Sequence, residues 1–123
     1  MTYSRVNNVY GYFGPIVYLD NCDTIRFRGV FKRLGNNESY RTQFYMTGKF
    51  NASGDVTSLL NGIGGDARLY SATFWGLFSD CYSLLTAPKL PSKNAFSSCY
   101  VEMFKGCTNL KVAPELPSTN LSI

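Results

Sequence analysis

Phe74-Trp75-Gly76-Leu77-Phe78-Ser79-Asp80-Cys81-Tyr82-Ser83-Leu84-Leu85-Thr86-Ala87-Pro88-Lys89-Leu90-Pro91-Ser92 is followed by a second pass over the same phrase. Residues 100–118 read Tyr100-Val101-Glu102-Met103-Phe104-Lys105-Gly106-Cys107-Thr108-Asn109-Leu110-Lys111-Val112-Ala113-Pro114-Glu115-Leu116-Pro117-Ser118. At a constant offset of 26 residues, Phe78/Phe104, Cys81/Cys107, Leu84/Leu110, Ala87/Ala113, Pro88/Pro114, Leu90/Leu116, Pro91/Pro117, Ser92/Ser118 and Asn94/Asn120 match without a gap. Identities of that number at one offset mark an internal repeat.

Each unit carries two kinds of pattern. Tyr70, Thr73, Phe74, Leu77, Phe78 and Cys81 stand at i, i+3, i+4, i+7, i+8 and i+11, and Phe96, Cys99, Tyr100, Met103, Phe104 and Cys107 repeat the spacing. That spacing predicts the apolar stripe of a three-turn helix. Leu84–Ala87 and Leu110–Ala113 predict one short strand each, ended by Pro88 and Pro91 or by Pro114 and Pro117, which lack the N–H a ladder needs. A unit so small cannot bury its own apolar face, so neighbouring units are expected to stack. Stacking would set Cys81 over Cys107 as a thiol ladder and Leu84 over Leu110 in equivalent slots.

The phrases Met103-Phe104-Lys105-Gly106-Cys107-Thr108-Asn109-Leu110 and Ala113-Pro114-Glu115-Leu116-Pro117 resemble the BspA-like leucine-rich repeats. Such repeats occur in surface proteins of gut Bacteroides and related bacteria, with a unit close to C-Y-x-x-M-F-x-G-C-T-x-L-x-x-A-P-x-L-P. Cys99-Tyr100, Met103-Phe104, Gly106-Cys107 and Leu110 fit it, whereas the first unit has Leu77, Asp80 and Thr73 in place of Met, Gly and Cys. Ile25-Arg26-Phe27-Arg28-Gly29 and Phe44–Gly54 look like the β segment that precedes these repeats. The resemblance implies a secreted or cell-surface protein that adheres to a host or neighbouring cell, and it brings no catalytic residues. Related repeats also occur in phage proteins, which leaves a structural or receptor-contacting part of a phage particle as the alternative.

The fold expected is therefore α+β. A β-rich N-terminal capping region over residues 1–66 would precede the start of a leucine-rich-repeat-like α/β solenoid over 67–123, with two repeats of period 26, the second incomplete. In the first region, β-type runs at Ile16–Leu19, Thr24–Gly29, Gln43–Thr47 and Lys49–Ala52 alternate with turn signals such as Gly35-Asn36-Asn37 and Ser53-Gly54-Asp55. Ile25 and Phe27 alternate with Arg26 and Arg28, which gives that run one wet, basic face.

Composition argues against chemistry. There are no histidines in the 123 residues, so Ser/His/Asp and Cys/His catalysis and His-ligated zinc are excluded. The cysteines, Cys22, Cys81, Cys99 and Cys107, show no C-x-x-C spacing, and most fall on the repeat as small buried thiols. Asp20 and Asp23 flank a turn without the rest of a calcium loop, and Gly62-Ile63-Gly64-Gly65 lacks the Lys-Ser/Thr of a phosphate loop. No catalytic residue, cofactor or metal is expected, and the chain is read as not being an enzyme.

The net charge is +4, and Arg26, Arg28, Lys32, Arg33 and Arg41 crowd into residues 25–41 against Glu38. A patch of this kind can steer an acidic partner, although Lys and Arg also guard strand edges. Trp75 and Tyr82 break the repeat, standing where the second unit has Val101 and Thr108. With Arg26, Arg28 and the strand residues Thr86 and Lys111, they make up the candidate binding surface. The partner expected is a protein or glycan on a host or neighbouring cell rather than nucleic acid, with self-association through the open C-terminal solenoid edge. No run is long enough to span a membrane, and the start lacks the charged and apolar regions of a signal peptide; either the chain is not exported by that route or it is a piece of a longer precursor, and the repeat favours the piece.

Overall fold

The computed structural model describes residues 2–6, 11–16, 18–20, 23–37, 40–96, 98–117 and 120–121. An antiparallel sheet in the order β2-β1-β3 opens the chain, built from β1 (Thr2–Val6), β2 (Gly11–Ile16) and β3 (Arg41–Tyr45). β4 (Phe50–Asn51) pairs in parallel with β5 (Leu84–Thr86), and β6 (Asn94–Ala95) pairs in parallel with β7 (Asn120–Leu121). The one helix among the described residues, α1 (Ser58–Asn61), is a single turn.

The leucine-rich-repeat-like α/β solenoid expected over 67–123 does not form. Neither 70–81 nor 96–107 is helical; the described residues of both stretches run almost entirely as turns and bends. The cause lies in the backbone. Ala72, Gly76 and Asp80 have positive φ (59°, 62° and 62°), as do Ser98, Glu102 and Gly106 (61°, 54° and 79°). A left-handed residue every fourth position breaks the uniform right-handed geometry that a helix needs. The apolar residues at i, i+4, i+8 and at i+3, i+7, i+11 also obey a strict four-residue period, in two columns, and that is the period the chain adopts.

Hydrogen bonding follows the same rhythm. Alternate N–H groups close local turns: Thr73 donates to the Tyr70 carbonyl, Trp75 to Ala72, Leu77 to Phe74, Ser79 to Gly76 and Cys81 to Phe78. The N–H groups between them reach across to the second segment, Phe74 to the Cys99 carbonyl, Gly76 to Val101, Phe78 to Met103 and Asp80 to Lys105, at 2.6–2.9 Å. The second segment repeats the local turns from Cys99 to Cys107. On the other side, the Thr73 and Leu77 carbonyls accept from Leu34 and Phe44. Three rows of backbone are thereby tied side by side.

Side chains stack along these rows. Phe44 lies 5.3 Å from Phe78, and Phe78 lies 5.6 Å from Phe104 with the rings parallel to 1°. Phe27 meets Phe44 edge-on at 5.2 Å, and Phe74 stacks on Tyr100 at 6.1 Å. One apolar cluster runs from Phe44 and Met46 through Leu69, Phe74 and Leu77 to Met103 and Cys107, so both halves of the chain share a core. Leu84 and Leu110 are not interchangeable, however. Leu84 is fully buried opposite Phe50 in β5, whereas Leu110 is half-buried and outside any strand.

Among the β-type runs of the first region, Gln43–Thr47 overlaps β3 and Lys49–Ala52 contains β4. Thr24–Gly29 forms no strand, although its alternation holds: Ile25 and Phe27 are half-buried while Arg26 and Arg28 are exposed. The run at 16–19 contributes only Ile16, at the end of β2. Val17 and Cys22 lie outside the described residues. No helix among the described residues is long and apolar enough to cross a membrane.

Candidate functional site

The surface with the most concentrated chemistry surrounds Tyr70, the residue that leads into the first row of turns. The Lys32 ammonium sits 4.6 Å from the Tyr70 ring centre, and the Arg33 and Arg68 guanidiniums each sit 5.4 Å from it. Arg68 also lies 5.8 Å from the ring of Phe96, which is 43% exposed. Each contact is an attraction between a cation and the negative face of a ring.

The backbone explains the convergence. Phe31 donates to the Leu60 carbonyl and Leu34 to the Thr73 carbonyl, which holds Lys32 and Arg33 beside the first row. Leu69, fully buried, anchors the neighbour on which Arg68 and Tyr70 flank the core. Ser92 donates to the Ala67 carbonyl and the Lys93 N–H to Asp66, which brings the approach to Phe96 alongside.

Among the described residues these cations make no ion pair. The ion pair found among the described residues is Lys105–Glu102, on a different row, and Arg33 is held by the side chain of Asn36. Three positive charges about one ring repel one another, and an anion laid across them would relieve that repulsion.

The residues singled out from the sequence fall elsewhere and do not converge. Arg26 lines a groove on another face, and Arg28 is exposed beside it. Trp75 is half-buried, with its side chain against Gly35 and its buried indole nitrogen without a hydrogen-bond partner among the described residues. Tyr82 is 55% exposed, and its carbonyl accepts from Asn109. The Thr86 hydroxyl is engaged with the Ala52 carbonyl and Asn51, and Lys111 is exposed. Tyr70 and Phe96 escaped notice because both read as the first members of a buried stripe. Their shared 26-residue offset and the nearby Lys32, Arg33 and Arg68 were the signal available.

The described cysteines are structural. Cys81, Cys99 and Cys107 are buried free thiols. Burial pushes the Cys81 thiol up to about 12 and Cys99 to about 11, and it raises Cys107 as well. Thiols held protonated in this way are poor nucleophiles and poor metal ligands. Among the described residues no group of His, Cys, Asp and Glu could hold a metal ion. Compared with protein-family models, with curated proteins and with solved structures, the chain matches none.

Proposed function

We propose that the chain is a non-catalytic binding module whose ligand is an acidic glycan, received on the Tyr70 face. The observation that carries this reading is the convergence of Lys32, Arg33 and Arg68 on one ring, with no ion pair to any of the three among the described residues. A carboxylate or sulfate of such a glycan can take charge-assisted bonds from the ammonium and guanidiniums gathered over the ring. The adhesive surface role implied by the resemblance of residues 103–121 to BspA-like repeats supports the same reading. With it goes the expectation that the module belongs to a secreted or surface-attached protein.

The test is binding of immobilised heparin, with dextran as the neutral control. Heparin is expected to bind in a salt-sensitive manner. Arg68→Gln and Tyr70→Ala should each weaken it by about tenfold, the scale of losing one charge-assisted bond or one buried ring contact. Lys105→Gln, on another row, should not. Equal retention of dextran, or unchanged heparin binding by both Tyr70-face variants, overturns the proposal.

A further inference from the structure

The inner row of turns (72–81) and the outer row (98–107) bond alike, except that the outer row has one set of groups left over. Within it, the N–H groups of Cys99, Val101, Met103, Lys105 and Cys107 close local turns on the carbonyls of Phe96, Ser98, Tyr100, Glu102 and Phe104. The carbonyls of Cys99, Val101, Met103 and Lys105 accept from the inner row. The N–H groups of Tyr100, Glu102, Phe104 and Gly106 meet no carbonyl among the described residues. Their counterparts 26 residues earlier, Phe74, Gly76, Phe78 and Asp80, are the groups that reach across to the next row. Ser98, Glu102 and Gly106 share the positive φ of Ala72, Gly76 and Asp80, so the leftover donors point the same way, off the free side of the outer row.

Side chains leave the same edge open. The stack of Phe44, Phe78 and Phe104 stops at Phe104, which is half-buried. The Phe44 and Phe78 carbonyls each receive a thiol from the row that follows, Cys81 and Cys107, whereas no thiol among the described residues reaches the Phe104 carbonyl. The chain also begins a further layer at this end. β7 pairs in parallel with β6, Asn120 opposite Asn94 and Leu121 opposite Ala95, at the 26-residue offset of the repeat.

We infer that the free edge of the outer row docks a segment of a partner polypeptide that carries the chain's own four-residue row pattern. The donor set selects it. The edge offers only N–H groups, so the same edge of a second copy would set donor against donor and cannot pair. A regular strand presents N–H as well as C=O groups along its edge, and its N–H groups would be buried against the donors without acceptors. A row of turns uses up its alternate N–H groups locally and presents only carbonyls to the row before it. The outer row, seated on the inner one, shows that fit. Such a segment would lay an aromatic ring on Phe104 and a thiol on its carbonyl, with glycine or another residue that accepts positive φ at every fourth place. The inference is independent of the glycan reading.

The experiment adds a synthetic peptide copying residues 94–110, capped and kept reduced, to the isotope-labelled chain and follows its backbone amide shifts. The copy is neutral, with Glu102 balanced by Lys105, so the cations around Tyr70 do not draw it. The amides of Tyr100, Glu102, Phe104 and Gly106 are expected to move saturably while those of Phe74, Gly76 and Phe78 hold. A copy carrying Glu102→Val and Gly106→Val, which puts β-branched residues at two left-handed positions, is expected to bind at least about tenfold more weakly. A capped peptide of alternating Val and Thr is expected not to bind. No shift at millimolar row peptide, equal binding of the Val-substituted copy or of the Val-Thr peptide, or shifts confined to the Tyr70 face overturns the proposal. So does movement of the same four amides with protein concentration alone, since the edge would then belong to a second copy.

Discussion

The Cys107 thiol donates to the Phe78 carbonyl at 3.0 Å, and one row earlier the Cys81 thiol makes the same bond, at the same length, to the Phe44 carbonyl. Each sulfur thus fastens one row to the aromatic residue of the row before it. Removing it deletes a buried donor and leaves a small void. Cys81→Ala and Cys107→Ala are each expected to lower stability by about 1–3 kcal/mol. Urea titrations followed by tyrosine fluorescence measure this, and an unchanged midpoint would mean the thiols are fillers only.

The same burial makes the fold sensitive to alkali. An unfolded cysteine ionises near 9, whereas in the fold Cys81 stays protonated to about 12 and Cys99 to about 11. Above pH 9 the unfolded chain releases protons that the folded chain keeps, so rising pH favours unfolding. The stabilisation is complete below pH 9 and is lost progressively toward pH 12. Urea midpoints are expected to be level from pH 7 to 8.5 and to fall from 9 to 11, with a shallower fall in Cys81→Ala.

Left-handed positions give a test that separates the turn rows from a helix. At Gly76 a Cβ would stand 1.6 Å from an Arg41 guanidinium nitrogen, and φ is 62°. Gly76→Ala is therefore expected to cost roughly 1–3 kcal/mol, although the same change inside a helix would gain about 1 kcal/mol. Glu102, at the equivalent place in the second row, has φ 54°, and Glu102→Gly is expected to gain up to about 1 kcal/mol. Opposite signs in thermal melts, or a far-ultraviolet dichroism spectrum with a helical double minimum, would show a helix instead.

On the Tyr70 face, stability and binding should separate. Arg68 is exposed, and its attraction to the Tyr70 and Phe96 rings is offset by repulsion from Lys32 and Arg33. Arg68→Gln is expected to change stability by no more than about 0.5 kcal/mol, the scale of exposed charge interactions, while heparin binding weakens. Loss of both together would mean that the arginine holds the fold rather than the ligand.

How far the sequence could be read is clearest in Phe78 and Phe104. Their spacing and their partners Cys81 and Cys107 were visible as equivalent positions, and the two rings do lie face to face. The conformation between them was not visible, because two columns four apart fit a helical stripe over so short a run. Gly76 and Gly106 were the clue, small residues at positions where a helix prefers a long side chain, but Asp80 and Glu102 masked the pattern. The Tyr70 face failed for a related reason. A tyrosine that begins an apolar stripe reads as core, and the path of residues 31–34 past it brings Lys32 and Arg33 over its ring beside Arg68.

The cross-row bonds run one way. Phe74, Gly76, Phe78 and Asp80 donate to the second segment, whose own Tyr100, Glu102, Phe104 and Gly106 N–H groups have no carbonyl partner among the described residues. Two stretches of equivalent pattern are thus kinetically unlike: deuterium should replace the amide protons of Tyr100, Glu102, Phe104 and Gly106 within minutes and reach those of Phe74, Gly76, Phe78 and Asp80 only through opening of the whole core. Sequence similarity makes the rows look alike, but their order in the ladder gives them different lifetimes.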